Sequence, residues 1–374
     1  MVTGSSGSGK TQLLKYLICT IRDQGKNVLI IDFKNDFAGD KIFKKRAALE
    51  SKHVSIGGLP FNPLIPFVEE NPDTNEKFIQ IETHIAGLAG VFEKSFRLGD
   101  IQEVELKNAI RQAYLENGIE TEGMSDLDPN WNFPNMDLVG EILRESDSLE
   151  ARKAYARLDE IFRLGLFKPE YSNDSFETLL NRSIIIDLSR LQNDSIKSTI
   201  AGLIVLSAHN YYNSKPPAAN IRQTFIFDEA HRVLKQNIIS KFVRECRQYG
   251  VMTIMSSQNP EDFPEEITGQ FFTKILHGNG TSKKKVAKIA DLIGLNKERH
   301  AEISSLERFQ AFMDNKHHRQ TFFHTMNYPL YLVYSFLKEG HELKLDEIPN
   351  IPGIEQGKLN VNYLVKQLQE RGLA

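Results

Sequence analysis

Gly4-Ser5-Ser6-Gly7-Ser8-Gly9-Lys10-Thr11 opens the chain and decides how the rest is read. The spacing is G-x-x-x-x-G-K-[ST]. Glycines at those positions let the backbone curl until several N–H groups point into one concavity, a cradle for phosphate oxygens. A helix starting near Lys10 adds its positive end to the same anion. The Lys10 ammonium reaches β- and γ-phosphates, and the Thr11 hydroxyl is a ligand for Mg²⁺. Leu13, Leu14, Tyr16, Leu17 and Ile18 follow at helical spacing, and Asn27-Val28-Leu29-Ile30-Ile31-Asp32 reads as a buried strand. Loop, helix and strand in that order form a nucleotide-binding βαβ unit and not a Gly/Ser linker. Gly4, Ser5, Ser6, Gly7, Ser8, Gly9, Lys10, Thr11 and Gln12 are the expected nucleotide contacts, with ATP and Mg²⁺ as the ligands. Only Met1-Val2-Thr3 precede the loop, short for a central strand of about 5–6 residues. A fragment of a longer protein, a trimmed chain or a misplaced start is therefore expected.

The second half of such a site is Thr224-Phe225-Ile226-Phe227-Asp228-Glu229, strand residues ending in two carboxylates. This is the Walker B form. Asp228 is expected to hold Mg²⁺ through its water shell, and Glu229 to orient or deprotonate the attacking water. Such carboxylates belong at the carboxyl end of a parallel strand, facing the crevice where nucleotides bind. Asp228-Glu229-Ala230-His231 also spells the DEAH label of a helicase class. Those helicases place Walker B much nearer the phosphate loop. They also need Ser-Ala-Thr and Gln-x-x-Gly-Arg-x-Gly-Arg motifs, which this chain lacks, as it lacks the Leu-Ser-Gly-Gly-Gln of ABC-type ATPases.

The segment after Walker B discriminates further. A helix ends in Arg247-Gln248-Tyr249-Gly250, the strand Val251–Met255 follows, and Ser257-Gln258-Asn259-Pro260 closes it. Gln258 stands where a polar residue at a strand tip senses the γ-phosphate. Arg247 stands where an arginine at a helix end reaches a neighbouring subunit's nucleotide. With the Ile184–Leu188 strand and Ser189-Arg190-Leu191, this arrangement resembles the HerA/FtsK superfamily of ring-forming motors, which includes the conjugative coupling ATPases. The likeness covers about 1–37 and 182–280, and Ser257 replaces the commoner Thr before the sensor Gln. Within that group, Asp32-Phe33-Lys34-Asn35-Asp36-Phe37 and Gly58-Leu59-Pro60-Phe61-Asn62-Pro63-Leu64 resemble the ATPase part of DptH-type proteins of phosphorothioation-linked DNA restriction. The resemblance implies an ATP-hydrolysing motor, a homo-oligomeric (hexameric) ring, double-stranded DNA as substrate, and a partner nuclease or defence subunit. A conjugation or secretion ATPase that moves protein, and a nucleotide-gated scaffold, are the alternatives. Glu229 speaks against the scaffold, because such switches often lack the catalytic acid.

The expected fold is α/β: a RecA-like, mostly parallel sheet with helices on both faces and a helical insertion. Residues 1–70 form the first part of the core, 71–181 the helical insertion, and 182–374 the second part of the core. After a short basic helix over Lys41–Arg46, His53-Val54-Ser55-Ile56 reads as a third strand. Helical periodicity then runs through Ile79, Ile85, Leu88, Phe92, Leu106, Ile110, Leu138 and Ile142, broken by the acidic, turn-rich 123–134 that holds Trp131. Strands return at 183–188, 224–228, 251–255 and 272–276, with helices at 194–212, 236–249 and 282–293. Shorter strands are expected around 309–313 and 329–335, and a last helix near 361–371.

Composition is that of a globular chain: 374 residues, 40% hydrophobic, 25% charged, net charge −3. No run is long and apolar enough for a membrane span. Cys19 and Cys246 have no paired spacing, which fits a reduced, cytoplasmic setting better than a disulfide framework. The small negative charge argues against a surface that is basic all over, so contacts to nucleic acid must be local. Lys41–Arg46 and the run Lys283-Lys284-Lys285 with Lys288 are the candidates. Asp32-x-Lys34 has no partner acid for a nuclease metal site and reads as a strand tip bordering the nucleotide crevice. His317, His318 and His324 lack metal-ligand spacing.

Overall fold

The computed structural model describes residues 1–70, 74, 76–124, 128, 130–167, 176–278, 282–338 and 366. β1 (Val2–Thr3) runs into the phosphate loop, α1 (Lys10–Asp23) leaves it, and β2 (Asn27–Asp32) follows. α2 (Lys41–Arg46), β3 (Glu50–His53) and the single-turn α3 (Val54–Gly57) come next. A ribbon of β4 (Glu69–Glu70) and β5 (Lys77–Phe78) leads into α4 (Ile81–Phe96), α5 (Asp100–Glu116), α6 (Met136–Glu145), α7 (Leu149–Arg163) and α8 (Phe176–Leu180). The chain then returns through β6 (Ile184–Asp187), α9 (Asp194–Asn213), β7 (Gln223–Phe227), α10 (Asn237–Glu245) and β8 (Val251–Ser257). It continues through α11 (Glu265–Thr268), β9 (Lys274–His277), α12 (Lys283–Ile293), α13 (His300–Ser304), β10 (Gln310–Asp314), β11 (Thr321–His324) and α14 (Tyr328–Lys338).

Nine strands form one sheet in the order β11-β10-β9-β1-β8-β7-β2-β6-β3. The pairs from β9 to β3 are all parallel, and β10 and β11 add an antiparallel edge. The central strands β2, β6 and β7 are near-continuous apolar runs because both faces are covered. Side chains alternate between two separate cores, as a period of two demands. Val28, Ile30, Ile185 and Ile226 join Leu14, Ile18 and Phe43 of α1 and α2 with Tyr331 of α14. Leu29, Ile31, Ile184, Ile186, Phe225 and Phe227 face the opposite way, against α4, α9 and α10. α9 is buried almost all round, as a helix sandwiched between sheet and further helices must be. The helices from α4 to α8 share this second core, since Leu106, Tyr114, Val139 and Leu158 belong to the same apolar cluster as β2 and β7.

Parallel register brings the carboxyl ends of the strands to one edge. Thr3 pairs with Ser257, Phe227 with Met255, and Asp32 with Asp187. Gly4, Asp228, Gln258 and Lys34 therefore leave the sheet on the same side.

Two local expectations are corrected. The third strand is Glu50–His53, and Val54–Gly57 is a helical turn. β3 lies at the sheet edge beside β6 and carries polar, half-exposed residues, whereas Val54 is buried beyond it and Ile56 stands in solvent. The apolar residues that suggested a strand thus mark its end. The 329–335 stretch is not a strand but the body of α14, and the second late strand is Thr321–His324. Asn327 caps that helix, its side-chain oxygen accepting the Leu330 N–H at 2.9 Å. Tyr331 packs edge-on against Tyr16 of α1, and its hydroxyl donates to Asp23. The expected helix near 361–371 lies outside the described residues, Lys366 excepted.

Candidate nucleotide-binding site

The phosphate loop is built by backbone conformations that a side chain would oppose. Gly7 and Gly9 hold φ of 81° and 111°, in the region that favours glycine. Underneath, the Ser5 N–H and hydroxyl both donate to the Gly278 carbonyl at 3.0 Å, and Gly4 lies against His277. On the outer side, Phe309 N–H donates to the Ser8 carbonyl at 3.0 Å. The loop is thus clamped between the end of β9 and the start of β10. Lys10 folds back over it, its ammonium donating to the carbonyls of Gly4 at 2.6 Å and Ser5 at 2.9 Å. Burial lowers the Lys10 pKa, and the charges of Asp228 and Glu229 oppose that shift.

A cleft of about 220 Å³ opens above the loop. Ser6, Gly7, Gly9, Lys10, Thr11 and Gln12 line it from the loop and α1; Asp228, Glu229 and Gln258 line it from the strand ends. Gly4, Ser5 and Ser8 form the loop's underside and flank. Gln12, which lines the cleft, has its buried Oε1 without a hydrogen-bond partner, a polar group that a bound ligand or water would satisfy.

The two Walker B carboxylates sit in different environments. Asp228 is deeply buried, and burial, with Glu229 and Asp36 adding like charge, pushes its pKa up to about 6. The Thr11 hydroxyl and the Asp228 carboxylate are hard oxygen donors of the kind that suits Mg²⁺, and an ion held by them would offset the negative charge of nucleotide phosphates. Among the described residues no set of three His, Cys, Asp or Glu side chains is arranged to hold a metal by itself. Glu229 adopts a left-handed backbone, φ 59°, which turns its carboxylate across the cleft. Lys34 Nζ meets its Oε1 at 2.6 Å, and Gln258 Nε2 donates to both oxygens at 3.3 and 3.4 Å. Burial alone would raise the Glu229 pKa; the Lys34 and Gln258 hydrogen bonds outweigh it and hold the group below its ordinary value.

Arg247 is not brought into this cleft. It is exposed at the amino end of β8, stacked over the Phe272 ring at 4.2 Å. Gln258 leaves the other end of the same seven-residue strand, roughly 23 Å away at about 3.3 Å per residue. Three cleft residues were missed as site residues. Lys34 and Asp36 come from the tip of β2, which was expected to border the crevice and nothing more. Arg308 comes from the lead into β10 and stacks on the Phe309 ring at 4.6 Å. No motif announces Arg308; only the position of β10 two strands from β1 brings it here.

A phosphate loop between a central parallel strand and its helix, with an acid pair at the tip of the strand two places away in the sheet, defines a P-loop NTPase core of the RecA-like class. The family model for the central domain of helicase HerA matches residues 1–207, and the chain belongs to that family. It is 23% identical over 335 residues to the DNA double-strand break repair helicase HerA of Saccharolobus solfataricus, a match covering 84% of this chain. The chain spans 61% of that relative's length. Its fold is similar to that of VirB4 from Thermoanaerobacter pseudethanolicus, with a TM-score of 0.67 at 20% identity, covering 87% of this chain and 88% of the other. It is also similar to the plasmid coupling protein TrwB solved with the non-hydrolysable ATP analogue ADPNP. That comparison has a TM-score of 0.57 at 14% identity and covers 87% and 84% of the two chains.

Proposed function

We propose that this chain is the ATP-hydrolysing engine of a HerA-type ring motor that acts on double-stranded DNA. The observation that carries the reading is the convergence of Lys10, Thr11, Asp228, Glu229 and Gln258 on one cleft. The loop N–H groups and Lys10 bind the β- and γ-phosphates. Thr11 and Asp228 hold Mg²⁺, which supplies charge neutralisation on the phosphates when bound. Glu229 accepts the proton of the attacking water and Gln258 orients it against the γ-phosphate. Arg247 acts on the site of a neighbouring subunit in this reading, which requires an oligomer; its exposure, away from its own cleft, supports that role.

Two features support a nucleic-acid track. The relative carries a DNA-repair helicase name, and α12 exposes Lys283, Lys284 and Lys288 while Lys285 Nζ donates to Asn259 Oδ1 at 2.9 Å. A basic patch thereby touches the residue next to Gln258. No described helix is long and apolar enough to cross a membrane.

ATP turnover by Glu229→Gln tests the engine. Hydrolysis is expected to fall by at least ~10²-fold, the usual worth of a general base, while ATP still binds. Near-wild-type turnover removes Glu229 from the role. Duplex DNA added at low salt tests the track: stimulation that fades steeply with salt is expected. No response from the full-length assembly favours a protein-moving ATPase or a scaffold instead.

A further inference from the structure

We infer that Lys34, at the tip of β2, is a positioning residue for Glu229, holding the carboxylate in the cleft where the attacking water is activated. The inference rests on the proposed role of Glu229.

The geometry begins two residues earlier. Asp32 ends β2, and its carboxylate collects four backbone N–H groups: Lys34 at 3.1 Å and Asp36 at 3.2 Å on one oxygen, Phe37 at 3.0 Å and Ala38 at 2.8 Å on the other. Charge-assisted bonds of this kind are stronger than neutral ones, so the loop is wound tightly around Asp32. From the other side, the Phe33 carbonyl lies 3.5 Å from the ammonium of Lys197 on α9. The backbone from which Lys34 springs is therefore fixed, and its side chain spans the cleft to Glu229.

Glu229 needs such a partner. Its left-handed backbone is one that L-residues adopt at a cost and that persists only where surroundings hold it. Its carboxylate is nearly buried, 8% exposed, whereas the Lys34 side chain is 40% exposed. Asp228 and Asp36 present like charge to the same cleft, and Lys10 is its other lysine. His231 Nδ1 stands 3.6 Å from the second oxygen, beyond hydrogen-bond distance. Without Lys34, Glu229 loses its one ammonium hydrogen bond and keeps the longer contacts to the Gln258 amide and His231, while two other carboxylates face it, so rotation out of the cleft lowers the repulsion. A displacement on the order of 1 Å is worth up to about 10²-fold in rate.

The test compares Lys34→Met, Lys34→Arg, Glu229→Gln and the Lys34→Met/Glu229→Gln double variant in the full chain. Single-turnover ATP hydrolysis and binding of a fluorescent ATP analogue are both measured. Lys34→Met is expected to lose 10- to 100-fold in rate, on the order estimated above, with nucleotide affinity unchanged. Lys34→Arg should recover most of the rate. The double variant should be no slower than Glu229→Gln, because a residue that acts through another contributes nothing once that other is gone. Wild-type turnover by Lys34→Met overturns the inference. So do losses that multiply in the double variant, or weakened nucleotide binding at an intact rate, which would make Lys34 a phosphate ligand. Full turnover by Glu229→Gln alone overturns the reading beneath it as well, and the single variant by itself reveals that case.

Discussion

Phe309 packs its ring against Gly9, so closely that a Cβ on Gly9 would stand 2.5 Å from the ring's Cδ1. The contact ties the phosphate loop to β10, and Gly9 meets it with φ at 111°. Gly9→Ala is thus opposed twice, by the backbone and by the ring. Each effect is worth about 1 kcal/mol or more, so a loss of about 2 kcal/mol in stability is expected from thermal unfolding. Nucleotide binding should fall with it. Adding Phe309→Ala relieves the clash and leaves the backbone strain, so the double variant should not recover nucleotide affinity. Full recovery would mean that the ring alone shapes the loop.

Arg247 and Lys10 belong to different sites if the oligomer reading holds. Arg247→Ala should then bind ATP and hydrolyse it poorly, with a deficit that can reach ~10³-fold for an arginine finger. Lys10→Ala should lose ATP affinity itself. Mixed together, the two inactive variants should regain part of the activity, because one supplies the cleft and its neighbour the arginine. A wild-type chain that stays monomeric by light scattering while turning over at full rate removes the arginine from that role.

His84 on α4 is fully buried, its Nε2 2.8 Å from the Pro63 carbonyl, and burial holds its pKa down to about 4 from an ordinary 6.5. The folded protein therefore resists a proton that the unfolded chain accepts. Above about pH 6.5 both states are neutral at this residue and it adds no pH dependence. Below that, stability is lost progressively until about pH 4. At pH 5 the loss from this residue is about 2 kcal/mol. Urea unfolding of wild type and His84→Gln at pH 7.5 and pH 5 checks it. The glutamine variant, which keeps a donor for Pro63, should lose about 2 kcal/mol less on acidification. Equal losses in the two proteins would show that His84 does not titrate in this range.

The P-loop, the acid pair and the parallel core were legible because each is written locally. Spacing specifies the loop, and unbroken Ile/Val/Phe runs specify strands covered on both faces. Edge elements were harder for a physical reason. β3 carries Glu50-Ser51-Lys52-His53, a polar strand that needs only a partner's backbone, so no apolar run marks it. The run 329–335 suggested a strand, although Asn327 followed by Pro329 is a helix-start signal and proline is ill suited to a strand interior. Lys34 and Arg308 were out of reach for another reason. Their meaning depends on which strands lie side by side, and neither the Lys34–Glu229 pair nor the approach of β10 to the loop leaves a trace in local spacing.

The alternation of the sheet between two cores makes it a ruler as well as a scaffold. In β7, Phe225 and Phe227 point to one core and Ile226 to the other, and Asp228 follows at the next step. One inserted residue would exchange the aromatic and aliphatic faces and carry both carboxylates about 3.3 Å out of register with Gly4 and Gln258. Length changes along descent should therefore be scarce in β2, β6, β7 and β8.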